Sequence, residues 1–270
     1  MTEPFVQHGN QLLIDRWMKH LPDLSAGFTT RLGGVSTGHY ESNNLGLHTD
    51  DDPERIIANR YSTASETNTD LKQWVFADQT HEDQIVKVPR ALAGSGSLDY
   101  DDTIKRTDGF YTDEPGVMLS LGFADCVPLY FIHEGKKLAG TAHAGWKGTV
   151  RNIGGKMVRL WSEFEGVPAG EIYAAIGPSI GSCCYQVDQK VIDELQKVLA
   201  DFEPYSKNED GTYQLQLKEA NRLLLIQEGI PPENIHVSSC CTSCSEELFF
   251  SHRRDKGLTG RMHSFIGFTR

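Results

Sequence analysis

No stretch of this sequence is apolar for long enough to cross a bilayer. The longest candidate among its 270 residues, positions 116–132, is interrupted by Asp125 and Pro128. The opening MTEPFVQHGN lacks both the basic start and the apolar core of an export signal, so a soluble, cytoplasmic protein is expected. Positive charge is in short supply as well: 26 Lys and Arg against 37 Asp and Glu leave a formal net charge of −11. That balance repels nucleic acid and anionic lipid surfaces at long range, and neither is expected as a partner. There is no internal repeat, low-complexity tract or long linker, which favours one domain over residues 1–270.

Metal-binding patterns are sparse too. None of the ten histidines stands in an HxH pair, the pattern that would supply imidazoles to several coppers. One CxxC occurs, CTSC at 241–244, and no second one accompanies it. Cys183, Cys184, Cys240, Cys241 and Cys244 therefore read as structural or unligated thiols, with a structural zinc or a redox pair as the alternatives. In a reducing compartment the six cysteines are expected as thiols or ligands, not as three disulfides.

What is present is a mixture of strands and helices. The N-terminal segment through QLLIDRW reads as short strands. It is followed by TTRLGGVSTGHYESNNLGLHTDDD (29–52), a run of turn formers long enough to suspect that it lines a site. Asp52-Pro53 before ERIIANRYSTA has the form of a capped helix with proline in first position. Strands are expected at 74–79, 84–88, 117–123, 127–132, 138–143, 171–177, 234–239 and 262–268. Helices are expected at 150–164, 188–202 and 216–229, the last closed by Gly229. Mixed order with several hairpins points to an α/β or α+β sheet architecture and not to a regular βαβ alternation.

The segment GTAHAGWKGTV (140–150) sets a histidine, a tryptophan and a lysine among small residues. Upstream, Glu134-Gly135 reads as a two-residue hairpin loop between two strands. That loop places Cys126 directly opposite His143, on one face with Cβ atoms about 4.5–5.5 Å apart. His81, in the polar turn DQTHEDQ (78–84), is a third candidate. His81, Cys126 and His143 together form a two-His, one-Cys set that leaves a tetrahedral position open, as catalytic zinc sites do. The plain alternative is a buried cysteine packed against a buried histidine.

Several segments together resemble a known family: DQTH (78–81), ADCVPLYF (124–131), TAHAGWKGT (141–149), IGPSIGSCCYQV (176–187) and SHRRDKGLTGRM (251–262). They are similar to the YfiH/YlmD family, whose members are called laccase-like polyphenol oxidases, peptidoglycan editing factors and purine nucleoside phosphorylases. The resemblance implies a layered α/β/β/α fold related to deamidating toxin domains that use a Cys-His pair. It implies zinc, with copper as the other ion, on His81, Cys126 and His143, with Ala142, Ala144 and Gly145 leaving room beside His143. It also implies phosphorolysis of adenosine, inosine, guanosine and methylthioadenosine, together with deamination of adenosine. This chain has QTHE, HAGWKG and SNNLG where the family commonly has QVHG, HAGWRG and SLNLG.

Phosphorolysis needs phosphate beside C1′, so an acidic chain must gather positive charge locally. Arg253, Arg254 and Arg261, with Arg31 and Lys147, are the candidates, because guanidinium forks match phosphate oxygens. Asn44 is a candidate for the ribose, and Trp146 for stacking on the base or for anchoring a helix start. Asp125, next to Cys126, is a candidate for proton transfer, although strand neighbours point to opposite faces; the plain alternative is a strand-end residue anchoring a turn. A Cys126–His143 pair hydrolysing an amide or peptidoglycan-linked bond, a copper-dependent phenol oxidase and a non-catalytic metal-stabilised factor complete the alternatives.

Overall fold

Alternating side chains and short turns divide the chain among strands more than helices. The computed structural model describes residues 3–269. In chain order the strands begin β1 (Val6–His8), β2 (Gln11–Leu13), β3 (Leu24–Thr29), β4 (Trp74–Phe76), β5 (Ile85–Lys87), β6 (Gly109–Thr112), β7 (Met118–Phe123) and β8 (Val127–His133). They continue with β9 (Leu138–Ala144), β10 (Tyr173–Ile176), β11 (Gln186–Val187), β12 (Tyr205–Lys207), β13 (Tyr213–Leu215), β14 (Ile235–Val237) and β15 (Met262–Phe268). The helices are α1 (Asp15–His20), α2 (Pro53–Glu66), α3 (Trp146–Val150), α4 (Ile153–Phe164), α5 (Gln189–Gln196) and α6 (Leu217–Gln227).

One six-stranded sheet has the order β1-β2-β3-β15-β7-β4 and a second the order β14-β10-β8-β9-β6-β5; β11-β13-β12 form a small third sheet. Both large sheets are mixed, with β4/β7, β5/β6 and β10/β14 parallel. Phe28, Leu121, Phe123, Tyr130 and Ile132 fill the space between the two. On the outer face of the first sheet, Ala64 of α2 packs with Trp74, Phe76, Met118 and Phe265. On the outer face of the second, Met157 and Trp161 of α4 and Leu224 and Leu225 of α6 pack on Leu129 and Phe131. The layers are thus α/β/β/α, as the family resemblance implies. Among the described residues no helix is long and apolar enough to cross a membrane.

Local chemistry accounts for the helix boundaries. Asp52 caps α2 by accepting from Glu54 N at 3.0 Å, with Pro53 in first position. The helix expected over 150–164 is present as α4 but begins at Ile153, because Asn152 takes a left-handed φ of 53° and caps it by accepting from Gly155 N; the short helix α3 before it was not expected. Ile153, Met157, Val158 and Trp161 are then buried along one face, each aliphatic side chain stabilising by about 1.5–3 kcal/mol. Residues 15–17, expected as the end of a strand, instead open the helix α1: Trp17 is its single buried side chain, and Asp15 and Lys19 pair across one turn at 3.4 Å. The helix expected over 188–202 ends at Gln196.

The β8–β9 hairpin differs from its expected register. Val127 pairs with Ala144, Pro128 with His143 and His133 with Leu138, leaving residues 134–137 as a four-residue loop. A two-residue loop needs a positive φ at its first position. Neither Glu134 nor Gly135 has one; the left-handed residue is Lys137 at φ 49°, whose N–H donates to Glu134 O at 3.1 Å. Cys126 therefore stands diagonal to His143, not opposite it. A slip of two residues preserves the face, so the consequence for the site survives.

Candidate metal centre

At one end of the sandwich two connections carry the chain from the first sheet to the second, and each holds a potential ligand. The β4–β5 connection turns at His81, whose φ of 59° is left-handed. The β7–β8 connection turns at Asp125, φ 90°, and presents Cys126. His143 projects from β9 of the second sheet. Donor atoms of His81, Cys126 and His143 all lie within 4.8 Å of one another. A Cβ at Gly145 would lie 2.9 Å from Cys126 Sγ and 3.6 Å from the His81 ring, so glycine is what leaves the sulfur its place. Ala142 and Ala144 do not share that task. They alternate with His143 and pack into the helix-side core.

A carboxylate that the motif reading passed over organises the site. Asp108 immediately precedes β6 and continues its register with β9, directly across from His143. It is fully buried. Its Oδ1 accepts from His143 Nδ1 at 2.9 Å and from His81 N at 3.1 Å; its Oδ2 accepts from Glu82 N at 2.9 Å and Thr80 N at 3.2 Å. One carboxylate thus shapes the 80–82 turn and orients the imidazole so that Nε2 faces the cleft. Burial pushes the Asp108 carboxyl up, but the bond and charge of His143 and the backbone N–H groups outweigh it and hold it below the ordinary range. Burial likewise raises the Cys126 thiol, but His143 and His81 bring it down to about 6. Burial disfavours charge on His143, and Cys126 and Asp108 overcome this, raising it to about 9. Two imidazoles and a thiol that yields its proton readily are a donor set that fits zinc.

The three donors sit in the wall of a cleft of about 750 Å³. His48, Tyr100, Trp146, Tyr185, Arg253 and Arg261 are among its other walls. The long 29–52 segment thus reaches the cleft through His48, while Asn59 of α2 secures it by bonds to Val35 N at 2.8 Å and Asn44 O at 2.9 Å. Trp146 faces the cleft and also packs on the core at the start of α3.

The proposed substrate residues separate. Arg261 lines the cleft; its Nη1 is held by the carbonyls of Thr259 and Gly260 at 2.7 and 3.0 Å. Arg253 lines it too, and its Nη1 donates to Gln186 O at 2.9 Å. Arg254, by contrast, is spent inside the protein on Asp255 and on the carbonyls of Thr242 and Phe249. Arg31 stacks over Phe250 and donates to Glu41 O. Lys147 is exposed at α3 and lies outside the cleft lining. Asn44 is buried with both ends of its amide in use: Oδ1 accepts from Arg261 N and Gly46 N, and Nδ2 donates to Thr49 and Asp51. Its effect on the cleft passes through Arg261. Asp125 accepts from Thr242 Oγ1 at 2.7 Å, Ser251 Oγ at 3.0 Å and Arg253 N at 2.7 Å. Those bonds support the anchoring reading: the carboxylate clamps two C-terminal loops to the Cys126 turn.

Asp108, His48, Tyr100 and Tyr185 are among the site residues that the motifs did not single out. Asp108 had a signal in the strand after it, since pairing β6 with β9 would have set it against His143. Tyr185 had none beyond its place after Cys184.

Residues 25–269 match the family model described as multi-copper polyphenol oxidoreductase laccase. Purine nucleoside phosphorylase YlmD of Bacillus subtilis (strain 168) is 49% identical over 261 residues, covering 95% of this chain and 94% of its own. The crystal structure of YlmD from Geobacillus stearothermophilus superposes with a TM-score of 0.96 at 44% identity, covering 100% of both chains. That of the Bacillus licheniformis hypothetical protein YfiH gives 0.94 at 48% identity, covering 99% of this chain and 100% of the other.

Proposed function

The chain belongs to the multi-copper polyphenol oxidoreductase laccase family, and because its curated relatives are named purine nucleoside phosphorylases, we propose that it is a zinc-dependent purine nucleoside phosphorylase. The substrates are adenosine, inosine, guanosine and methylthioadenosine, with adenosine deamination as a second activity. The observation that carries the reading is the convergence of His81, Cys126 and His143 within 4.8 Å, in a cleft that Arg253 and Arg261 also line.

His81, Cys126 and His143 would hold the zinc, which would supply Lewis acidity at the cleft wall. In phosphorolysis a phosphate oxygen bonds to C1′ as the C1′–N9 bond breaks, giving ribose 1-phosphate and the purine, which leaves with a proton. Arg261 and Arg253 hold the phosphate: with one nitrogen of each fixed by backbone carbonyls, the remaining N–H groups are oriented in advance. Trp146 and Tyr185 present aromatic faces to the purine. Asp108 stays ionised and keeps His143 in a single tautomer and orientation. In deamination, oxygen from water replaces the C6 amino group and ammonia leaves.

Incubating zinc-loaded protein with adenosine and phosphate yields adenine and ribose 1-phosphate, with some inosine, by liquid chromatography. Absence of turnover in zinc-replete protein, or adenine release independent of phosphate, overturns the proposal. Two other readings have an observation each. A His₂Cys set is also the donor set of blue copper; among the described residues no methionine lines the cleft, and Gln79 and Gln186 are the side chains there that could serve as the weak axial ligand instead. Among the described residues the one other group of clustered ligands is all cysteine, which offers no imidazoles for further coppers. The lowered Cys126 thiol beside His143 also suits a nucleophilic hydrolase, and trapping an acyl group on Cys126 in zinc-free protein identifies that chemistry. A cytoplasmic location belongs to the same proposal, since a reducing compartment keeps cysteine ligands available as thiols.

A further inference from the structure

Four of the five cysteines outside the cleft meet at a single point. Cys183 and Cys184 lie on the turn that follows β10; Cys241 and Cys244 lie on the turn that follows β14. Because β10 and β14 are parallel neighbours, both turns leave the same end of the second sheet side by side. A parallel bridge between Ser179 and Cys241, with Thr242 N donating to Ser179 O at 3.1 Å, holds them in register. The four sulfurs all lie within 4.8 Å of one another. Cys244 Sγ is 3.5 Å from Cys183 Sγ and 3.4 Å from Cys184 Sγ.

These distances discriminate between the possible fates of the thiols. A disulfide needs sulfurs about 2.05 Å apart and an exclusive partner. Here Cys244 is about equally close to two sulfurs, and no pair is bonded. Tetrahedral zinc, at about 2.3 Å from each sulfur, sets its four ligands about 3.8 Å apart. The backbone around the cluster is built to that shape. Gly181 N donates to Cys241 Sγ at 3.1 Å, the kind of bond that stabilises a thiolate. A Cβ at Gly181 would stand 3.1 Å from Cys183 Sγ and 3.4 Å from Cys241 Sγ, so a side chain there would crowd the sulfurs. Neither histidine nor carboxylate joins the group, and with four ligands no position is left for substrate. Cys240, next in sequence, stands outside it.

We propose that Cys183, Cys184, Cys241 and Cys244 hold a second zinc ion in a closed tetrathiolate site, separate from the cleft, which clamps the wall that carries Ile180 and Tyr185. The connections are direct. Tyr185 follows Cys184, and both Ile180 and Tyr185 line the cleft. Thr242, between the two CxxC ligands, donates to Asp125 Oδ1, and Ile180 N donates to Asp125 O at 3.0 Å. The ion fixes the two turns, and Asp125, bonded to both, transmits their position to Cys126 next to it in the chain.

The test counts zinc by elemental mass spectrometry in wild type, His81→Ala and Cys241→Ser, each purified reduced, saturated with zinc and desalted. The expected counts per chain are two, one and one. If the His81 centre binds no ion, wild type and His81→Ala both count one and Cys241→Ser none, which upholds this site and separates its fate from that of the phosphorylase reading. A Cys241→Ser count equal to wild type overturns the proposal. Alkylation of wild type, mapped by peptide mass spectrometry, covers the case in which Cys241→Ser does not fold. Cys183, Cys184, Cys241 and Cys244 are expected to resist labelling in the zinc-loaded protein and to label together after chelation. Equal labelling of the exposed Cys183 and Cys244 with and without zinc overturns it.

Discussion

Replacing Asp108 by asparagine changes almost no volume and removes one charge, which makes it the most informative perturbation of the centre. The two carboxylate oxygens have different duties: Oδ1 serves His143 and His81, and Oδ2 serves the backbone of Thr80 and Glu82. An amide has one oxygen to offer, so whichever way it is turned its NH₂ faces two N–H donors. Leaving two buried donors unpaired costs about 1–3 kcal/mol each, and because the 80–82 turn borders solvent, about 2–4 kcal/mol in total is expected for Asp108→Asn. Loss of a carboxylate behind a ligating histidine typically weakens metal binding by about 10–100-fold, equivalent to about 1.4–2.7 kcal/mol. Urea unfolding of zinc-free protein reads the first quantity, and competition against a chromophoric chelator in folded protein reads the second. Zinc affinity within about twofold of wild type in the folded variant would refute the role assigned to Asp108.

Other substitutions separate the roles assigned to neighbouring residues. Gly145→Ala keeps an ordinary backbone φ of −64° but drives a methyl against Cys126 Sγ, so zinc affinity should fall while the melting temperature of zinc-free protein stays nearly unchanged; chelator competition and calorimetry check this. Arg261→Lys keeps the charge but loses the fork, and should raise the KM for phosphate by about 10-fold or more with a smaller effect on the nucleoside KM in steady-state kinetics. Arg254→Ala should instead lower stability by about 2–4 kcal/mol and leave the phosphate KM of the folded enzyme unchanged, since its bonds are internal. Asp125→Asn tolerates the left-handed φ and should cost about 1–3 kcal/mol of stability with kcat retained; a kcat loss of about 100-fold or more with unchanged stability would assign it proton transfer instead of anchoring.

Much of the centre was legible in the chain, for reasons that can be stated. Hydrophobic runs at 117–123, 127–132 and 138–143 mark β7, β8 and β9, and period-two alternation puts Cys126 and His143 on one face even when the turn is misassigned. The misassignment itself arose because Glu134-Gly135 has the composition of a tight loop, while the left-handed residue is Lys137, a choice that local sequence does not declare. The short strands β3, β6, β11, β12 and β13 escape a reading of the sequence because two to six residues in mixed surroundings give no periodicity. With β6 missing, the partner of His143 was missing too. Asn44, Lys147 and Arg254 show the opposite limit. Residue type suggested ligands, but only the tertiary contacts reveal that Asn44 and Arg254 are saturated and that Lys147 faces elsewhere. The clustering of Cys183 and Cys184 with CTSC likewise depends on the adjacency of β10 and β14, a pairing remote in sequence.

The position of the donors on the sheet-to-sheet crossovers gives the molecule a working end and an idle end. Strand β8 runs away from Cys126 for seven residues before the 134–137 loop, a distance of about 23 Å at about 3.3 Å per residue. That loop is therefore a handle. A fluorophore, a surface tether or an inserted peptide placed there sits a full strand length from Cys126 and outside the cleft lining, and leaves the donor set untouched.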